Sequence, residues 1–334
     1  MNYVDNILEL IGKTPMVKIQ NGCPHGGPLM LAKLEYQNPT GSVKDRMAYY
    51  IVKKALEDGD LKPGGTVIDN TSGNAGVSLA LVASMMGVKA ILTTPQKTSQ
   101  EKVDLIRAYG AEVIVTPSDT EHDDPEGAYM KAIILAKKHG YFHMNQYHSK
   151  VNISAHYLST GPEIWDDTDG RITHLVAGIG TGGTLSGSAK YLKEKNPEVK
   201  AIAVDPEGSV FYEYVKNGTS VPAQAYKIEG IGSDVITGAL DPDIIDEIIP
   251  IPDELSFLNA REFALQEGIL GGGSTGSAVW AARKIAGSLN ETDVVVVIIP
   301  DSGNRYLSKC FSDRWMKANG FDLKPAEPVK TEVP

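Results

Sequence analysis

The sequence predicts an α/β fold in which mostly parallel sheets are flanked by helices. Short apolar segments typical of strands alternate with amphipathic segments typical of helices, and this alternation favours parallel sheets. Residues 293–299 form an almost continuous β-branched run, as expected of a parallel strand covered on both faces. The length of 334 residues further predicts roughly two domains, at about 150 residues each.

The individual elements follow from apolar periodicity and from the residues that end it, such as Gly110 after one helix. The predicted strands are 66–69, 89–93, 112–116, 174–177, 200–204 and 293–299. The predicted helices are 77–86, 100–109, 127–139, 185–195, 255–267 and 277–286. Residues 116–125 and 206–230 are predicted to be irregular, and the Pro-rich segment 323–334 is predicted to be a frayed tail.

Charge and cysteine content argue against several classes of function. Acidic residues outnumber basic ones by 42 to 32, a net charge of −10, which disfavours broad binding to nucleic acid or to an anionic membrane surface. The only two cysteines, Cys23 and Cys310, and the seven histidines have no metal-site spacing. The N-terminus lacks a basic leader region, and no apolar run is long enough to span a bilayer. We therefore expect a cytoplasmic protein without a metal.

Glycine makes up roughly a tenth of the chain, with 34 residues, and it clusters in short turns. The turn Gly180-Thr181-Gly182-Gly183-Thr184 follows an apolar strand and opens a helix, so its backbone N–H groups are placed to bind an anion. Neither a Walker loop nor the dinucleotide spacing is present, so the expected anion is a single phosphate. The alternative is a tight strand-to-helix turn without a ligand.

Two further turns also open predicted helices. Thr71-Ser72-Gly73-Asn74 is either a helix N-cap or a second anion site suited to a carboxylate. Gly271-Gly272-Gly273-Ser274-Thr275-Gly276-Ser277 contains three consecutive glycines, which are costly in backbone entropy. They indicate either close approach of the backbone to something flat or bulky, or a flexible loop.

The charged residues outside these turns are typical of a solvated surface when judged by spacing alone. Lys44 lies between charged neighbours on a predicted helix, within Ser42-Val43-Lys44-Asp45-Arg46. That setting favours a surface lysine over a catalytic one. Asp123-Asp124 and Asp166-Asp167 are predicted to be solvated loop charges.

Taken together and in order, the motifs resemble the cystathionine β-synthase and cysteine synthase family. The matching motifs are Asn38-Pro39-Thr40-Gly41-Ser42-Val43-Lys44-Asp45-Arg46, Thr71-Ser72-Gly73-Asn74, Gly180-Thr181-Gly182-Gly183-Thr184 and Gly273-Ser274. The resemblance covers the chain from Ile7 to Phe321. It implies a two-lobed fold-type II enzyme, similar to the tryptophan synthase β-subunit, that uses pyridoxal 5′-phosphate (PLP), with Lys44 as the Schiff-base lysine.

The resemblance also implies how the chain is divided. A larger domain, 1–40 with 146–322, would bind the PLP phosphate. A smaller mobile domain, 41–145, would carry Lys44 and the loop for the substrate carboxylate, with PLP between the two. A homodimer is expected from the family.

Residue by residue, the resemblance implies a role for each motif. Asn74 would hydrogen-bond the 3′-oxygen of PLP, and Ser274 would face its ring nitrogen. The phosphate would be held by Gly180, Thr181, Gly182, Gly183 and Thr184. The substrate carboxylate would be bound by Thr71, Ser72, Asn74, Ala75 and Gln146, and the substrate side would be lined by Gly230, Ile231 and Gly232. The family usually has Thr at the position of Ala75, so one hydroxyl is lost here while the backbone N–H remains.

The implied reaction is a PLP-dependent β-replacement that condenses L-serine with L-homocysteine to give L-cystathionine and water through an aminoacrylate intermediate. Residues 205–209, 231–234 and 311–316 are more similar to cystathionine β-synthase than to O-acetylserine cysteine synthase. Within them, Asp234 is placed either to act on an amino-acid group or simply to cap a loop.

Three alternatives to that reaction remain open. The same site could combine O-acetylserine with sulfide, as in cysteine synthase, or release sulfide from cysteine. More distantly, the chain could be a catalytically inactive binding relative, which only Ala75 favours. Neither haem nor regulation by adenosylmethionine is expected, because the chain starts and ends close to the core motifs.

Overall fold

The computed structural model describes residues 1, 3–71, 73–96, 98–118, 120 and 123–323. Its strands are β1 (Met16–Lys18), β2 (Leu29–Leu34), β3 (Thr66–Asn70), β4 (Lys89–Pro95), β5 (Glu112–Thr116), β6 (Phe142–His143), β7 (His174–Gly178), β8 (Lys200–Pro206), β9 (Glu247–Ile251) and β10 (Val294–Ile299). Its helices are α1 (Lys44–Asp58), α2 (Asn74–Met85), α3 (Gln100–Ala108), α4 (Ala128–His139), α5 (Lys150–Tyr157), α6 (Thr160–Asp167), α7 (Gly183–Lys195), α8 (Phe211–Asn217), α9 (Asp253–Glu267), α10 (Gly273–Ala286) and α11 (Asp313–Ala318).

These strands form two sheets. The six-stranded sheet has the order β1-β2-β10-β7-β8-β9, and the four-stranded sheet has the order β5-β4-β3-β6. Every pairing is parallel except that of β1 with β2. The predicted α/β fold with mostly parallel sheets is therefore confirmed.

Strand β10 shows why its sequence is apolar on both faces. All six of its residues are buried, and it lies between β2 and β7. Val295 and Val297 pack in the core cluster that includes α10, whereas Val296 and Ile298 pack in the cluster that includes α7. Since helices cover both faces of the sheet, alternation of polar and apolar residues is lost.

The predicted elements are found within a few residues of their predicted ends. The prediction gives no bounds for the helix that carries Lys44, which is α1, and it omits β1, β2, β6, β9, α5, α6, α8 and α11. Two of these segments, β2 and α1, contain charged residues that are nevertheless buried, notably Lys33 and Arg46. Apolar periodicity cannot detect such segments. Residues 206–230, predicted to be irregular, contain the short helix α8, which is a correction.

The buried charges of β2 and α1 are paired with carboxylates. Arg46 bonds Glu35 and Glu163, with 2.7 Å from Nε to Glu35 Oε2 and 2.7 Å from Nη1 to Glu163 Oε1. Lys33 Nζ lies 3.0 Å from Glu163 Oε2 and 2.9 Å from Asp167 Oδ2. The Arg46 guanidinium lowers the pKa of Glu163 to about 2, although burial acts in the opposite direction. This network fastens the start of α1 to the six-stranded sheet.

The same network corrects one prediction. Asp166-Asp167 is not a pair of loop charges, because both residues lie in α6 and Asp167 pairs with the buried Lys33. A helical carboxylate that compensates a buried ammonium cannot be distinguished by sequence from a solvated one.

Candidate active site

The turn between β7 and α7 has the geometry of an anion site. Gly182 has a φ of +88°, and a Cβ built on it would lie 2.6 Å from Leu240 Cα. A Cβ on Gly180 would lie 2.6 Å from the carbonyl oxygen of Gly230. Both positions therefore require glycine. The first N–H groups of α7, which have no partner within the helix, are left facing the cleft.

The threonines of this turn are held from α5. Asn152 Nδ2 donates to Thr181 Oγ1 over 3.0 Å, and His156 Nε2 lies 3.2 Å from Thr184 Oγ1. The other nitrogen of His156 bonds Thr160 Oγ1 at 2.8 Å. Burial, reinforced by the charge of Arg46, lowers the pKa of His156 to about 3, so its ring is neutral. Sequence reasoning missed Asn152 and His156, since neither belongs to a motif.

Lys44 lies across the cleft from this turn, at the start of α1. Burial lowers the pKa of its amine, and the carboxylate of Asp301 offsets part of this effect. A lysine needs such a shift to act as a nucleophile. The cleft is lined by Val43, Lys44, Gly178, Gly180, Thr181, Gly182, Thr184, Leu185, Gly230, Ile231, Ile298 and Pro300. Lys44 is thus not the solvated surface residue that its spacing alone suggests.

A buried carboxylate fixes the turn of α1 that carries Lys44. Asp45 accepts hydrogen bonds from the Thr40 N–H at 2.7 Å and from the hydroxyls of Thr40 and Ser78. Because Ser78 belongs to α2, these bonds tie the two helices together. The Lys44 backbone is therefore constrained from both sides.

The turn at Thr71 leaves hydrogen-bonding groups available to a carboxylate. Thr71 Oγ1 accepts from the N–H groups of Gly73 and Gly76, both at 3.2 Å, so its own proton remains free to be donated. Gln146 Nε2 donates to the Asn70 carbonyl at 3.1 Å and therefore lies beside the same turn. Ala75 is buried in the core cluster of the four-stranded sheet. Of the predicted carboxylate ligands, Ser72 lies outside the described residues.

Asn74 begins α2 and bonds two residues that follow β10. Its Nδ2 donates to Asp301 Oδ2 at 2.7 Å, and its Oδ1 accepts from Arg305 Nη1 at 2.8 Å. Burial raises the pKa of Asp301, although hydrogen bonds from Tyr306 and Asn74 offset part of the rise. Asp301 and Arg305 were not found from the sequence, because both lie after the last glycine motif and belong to none of the motifs.

Ser274 and the Gly230 segment meet on the opposite wall. Ser274 is buried, and its Oγ lies 3.9 Å from the position of a Cβ on Gly230. A Cβ on Gly271 would lie 2.3 Å from Thr275 Oγ1, and one on Gly272 would lie 2.4 Å from Asp301 Oδ1. The glycine run is therefore a closely packed start of α10 and not a flexible loop, and the groups that approach it are protein atoms.

The segment that continues from the cleft residues Gly230 and Ile231 carries a carboxylate. Asp234 is exposed, two residues beyond Gly232. A Cβ on Gly232 would lie 2.6 Å from Tyr226 Oη, so this phenol packs against the same segment. Burial, together with Asp205 and Asp234, raises the pKa of Tyr226. Burial and the carboxylates of Asp69 and Asp234 raise the pKa of Tyr147 to about 12.

The residues present fit PLP. The glycine turn offers N–H groups and hydroxyls to a phosphate, Lys44 offers a desolvated amine to the aldehyde, and Ser274 offers an uncharged hydroxyl. Among the described residues, no group of three or more His, Cys, Asp or Glu side chains could hold a metal ion. In the same ranges, no helix is long and apolar enough to cross a membrane.

Fold and site together define a fold-type II PLP-dependent enzyme. The chain belongs to the family described as "Pyridoxal-phosphate dependent enzyme", whose model matches residues 7–301. It is 44% identical over 319 residues to cystathionine beta-synthase from Mus musculus, covering 95% of this chain and 57% of the mouse protein. It is 42% identical over 306 residues to cysteine synthase from Staphylococcus aureus, covering 91% of this chain and 96% of that protein.

Solved structures agree with these relatives. O-ureido-L-serine synthase superposes with a TM-score of 0.85 at 35% identity, covering 95% of this chain and all of that one. Cysteine synthase from Entamoeba histolytica superposes with a TM-score of 0.86 at 34% identity, covering 99% of this chain and 94% of that one. The family resemblance and the PLP cofactor are thereby confirmed. The protein is a PLP-dependent enzyme of the β-replacement family, in keeping with a role in amino-acid biosynthesis.

Proposed function

We propose that the enzyme condenses L-serine with L-homocysteine to give L-cystathionine and water. The observation that carries the proposal is the exposed carboxylate of Asp234, three residues beyond the cleft residue Ile231. A second amino-acid substrate brings an ammonium group, for which an exposed carboxylate on this segment is a matched partner. Sulfide brings no such group and would leave Asp234 without a role.

The first substrate would be bound through its carboxylate at the start of α2. The Thr71 oxygen accepts from Gly76 and leaves its own proton to be donated, and the N–H groups of Asn74 and Ala75 in the first turn of α2 have no partner within the helix. Gln146 holds one N–H on Asn70 and has a second to donate. These groups would orient the Cα–H bond toward the cleft floor.

Lys44 would then move the reacting proton. When bound, PLP supplies an electron sink for charge developed at Cα. The Lys44 amine, desolvated at the start of α1, would take the Cα proton and pass it to the serine hydroxyl, which leaves as water. It would then take the thiol proton of homocysteine as the sulfur adds to Cβ, and deliver that proton to Cα. The uncharged Ser274 hydroxyl gives little reason for protonation of the ring nitrogen, which favours β-elimination over transamination.

The arrangement of the lobes is part of the same proposal. Strands of the six-stranded sheet come from residues 16–34 and 174–299, and those of the four-stranded sheet come from 66–143. This supports a larger domain of 1–40 with 146–322 and a smaller one of 41–145. A cytoplasmic location and a homodimer remain expectations.

Cysteine synthase activity, from O-acetylserine and sulfide, is the second candidate. What favours it is the match to the Staphylococcus aureus cysteine synthase, which extends over 96% of that protein. The identities to the two kinds of relative, 44% and 42%, are too close to separate them.

A comparison of kcat/KM for the two reactions tests the proposal. We expect kcat/KM to be higher for serine with homocysteine than for O-acetylserine with sulfide, with cystathionine identified by mass. Asp234→Asn should raise KM for homocysteine several-fold and leave KM for sulfide unchanged, because only the ammonium group loses its partner. Asp243→Asn, at another exposed carboxylate, is the matched control. A strong preference for the acetylated substrate would overturn the proposal.

A further inference from the structure

The Asn74 amide is held between two charged groups that no motif includes. Arg305 Nη1 donates to its oxygen at 2.8 Å, and its nitrogen donates to Asp301 Oδ2 at 2.7 Å. A guanidinium has only donors and a carboxylate has only acceptors. If the amide were turned by 180°, its N–H groups would face the N–H of Arg305 and its oxygen would face the carboxylate of Asp301. Only the observed orientation is therefore stable.

The orienting groups are themselves fixed. Asp301 is 1% exposed, and its Oδ2 also accepts from Tyr306 Oη at 2.6 Å. Its backbone forms a bridge with Ser42, two residues before Lys44. Arg305 uses a second nitrogen to bond the Thr40 carbonyl. The amide, the lysine and the end of β10 thus form one rigid unit.

An amide nitrogen carries two hydrogens, and Asp301 takes one of them. We propose that Asp301 and Arg305 are positioning residues that orient the Asn74 amide so that its remaining N–H is presented to the phenolic oxygen of PLP, beside Lys44. Without them the amide could present either its nitrogen or its oxygen, and the oxygen would repel the phenolic oxygen. The inference rests on the proposed cofactor role of Asn74 and does not depend on which substrates are used.

A double-mutant cycle on PLP affinity tests this inference. We expect Asn74→Ala and Asp301→Ala each to raise the dissociation constant of PLP about tenfold, as a lost hydrogen bond to a charged acceptor would. Each should also shift the pH at which the visible absorbance of the bound cofactor changes. The double variant should be no worse than Asn74→Ala, because Asp301 acts through that amide.

Two conservative variants separate positioning from a general structural role. Arg305→Lys keeps a donor and should largely retain affinity, whereas Arg305→Met should lose as much as Asp301→Ala. If Asp301→Ala fails to fold, Tyr306→Phe removes only a bond to the same carboxylate oxygen and should change the absorbance titration in the same direction. Asp246→Asn, at a carboxylate bonded to Ala201 and Lys193 away from the cleft, is the control.

The possible failures are distinguishable. If Asn74→Ala changes the affinity and the effect of Asp301→Ala adds to it fully, or Asp301→Ala has no effect, the positioning role is wrong and the cofactor role of Asn74 stands. If Asn74→Ala leaves both affinity and absorbance unchanged, the cofactor role of Asn74 is wrong and the inference falls with it. The substrate competition described above is unaffected by either result.

Discussion

At the scale of single residues, the burial of Lys44 explains how its amine can act as a nucleophile, although its charged sequence neighbours suggest a surface lysine. Asp45 and Arg46 are charged, but both are buried and paired, so their presence does not mark a solvated face. Removing water from Lys44 lowers the pKa of its amine, and the nearby carboxylate of Asp301 offsets part of that effect.

Lys44→Ala should abolish the yellow colour of the purified enzyme together with its activity. No other lysine lines the cleft among the described residues, so none can replace it as the amine that bonds the cofactor. The measurement is the visible spectrum after reconstitution with PLP. Lys54→Ala, at an exposed lysine paired with Asp58 on the same helix, should keep the wild-type spectrum, and a yellow Lys44→Ala protein would contradict the assignment.

His156 should make the enzyme less stable in mild acid. Its pKa falls from 6.5 to about 3 on folding. Between these values the unfolded chain binds a proton that the folded chain does not, so the free energy of unfolding decreases as the pH falls below 6.5. At pH 5 the loss is about 2 kcal/mol. The low pKa of Glu163 acts in the same direction, but only below its usual 4.5.

Chemical denaturation at pH 8 and pH 5 checks this prediction. His156→Gln keeps hydrogen-bonding capacity and should flatten the pH dependence by about 2 kcal/mol. His139→Gln, at an exposed histidine, should leave it unchanged. Equal slopes for the wild type and His156→Gln would show that His156 is not held neutral in the folded protein.

At the scale of elements, the entry to α7 depends on glycine in two ways. Gly182 combines a left-handed φ with no room for a Cβ, whereas Gly59, which ends α1, has a φ of +81° and nothing within 4 Å. Alanine substitutions at these two glycines therefore separate the stability cost of backbone strain from that of steric exclusion. Gly59→Ala should cost roughly 1–2 kcal/mol of stability and leave PLP affinity unaltered.

Gly182→Ala should lower the free energy of unfolding by more than Gly59→Ala does, because Leu240 must move. It should also weaken PLP binding at least tenfold, because the turn must move with Leu240. Urea unfolding and PLP titration measure the two effects. If Gly182→Ala matched Gly59→Ala in both measurements, the turn would not depend on a tight fit.

The elements that could be predicted are those whose apolar pattern is uninterrupted, such as β10 and α7. Segments such as β2 and α1 were omitted or left without bounds because they contain Lys33 and Arg46, whose burial depends on Glu163, far away in sequence. In the site, the glycine turns were recognisable because their conformation demands a residue type. Asn152, His156, Asp301 and Arg305 were not, because ordinary polar residues acquire their positions only from the tertiary fold.

At the scale of the whole molecule, contacts cross the cleft between the regions of the two sheets. Lys102 on α3 pairs with Glu229, the residue before Gly230, and Lys309 pairs with the same carboxylate. The bond from Asn74 to Asp301 crosses the cleft as well. These links connect the regions of the two sheets directly.

Binding of serine should rotate the 41–145 region toward the remainder and exclude water from the reacting carbon. Crystal structures with and without the amino acid measure the rotation, and small-angle scattering measures it in solution. Glu229→Gln, which weakens the link to Lys102, should enlarge the substrate-free form, whereas Glu262→Gln, paired with Arg283 elsewhere, should not. Free and bound structures that superpose without relative rotation would contradict closure.

The pairing of β2 with β10 has a consequence for synthesis of the protein. Strand β2 ends at Leu34 and β10 begins at Val294. The nascent six-stranded sheet therefore lacks its central strand until Val294 and the residues after it have been translated, an interval of tens of seconds at about 5–20 residues per second. All strands of the four-stranded sheet have emerged by His143. The smaller sheet can therefore assemble during translation, while β2 and β7 wait with unpaired edges that invite aggregation. A message truncated just before the codon for Val294 would release a chain with one complete sheet and one that cannot close.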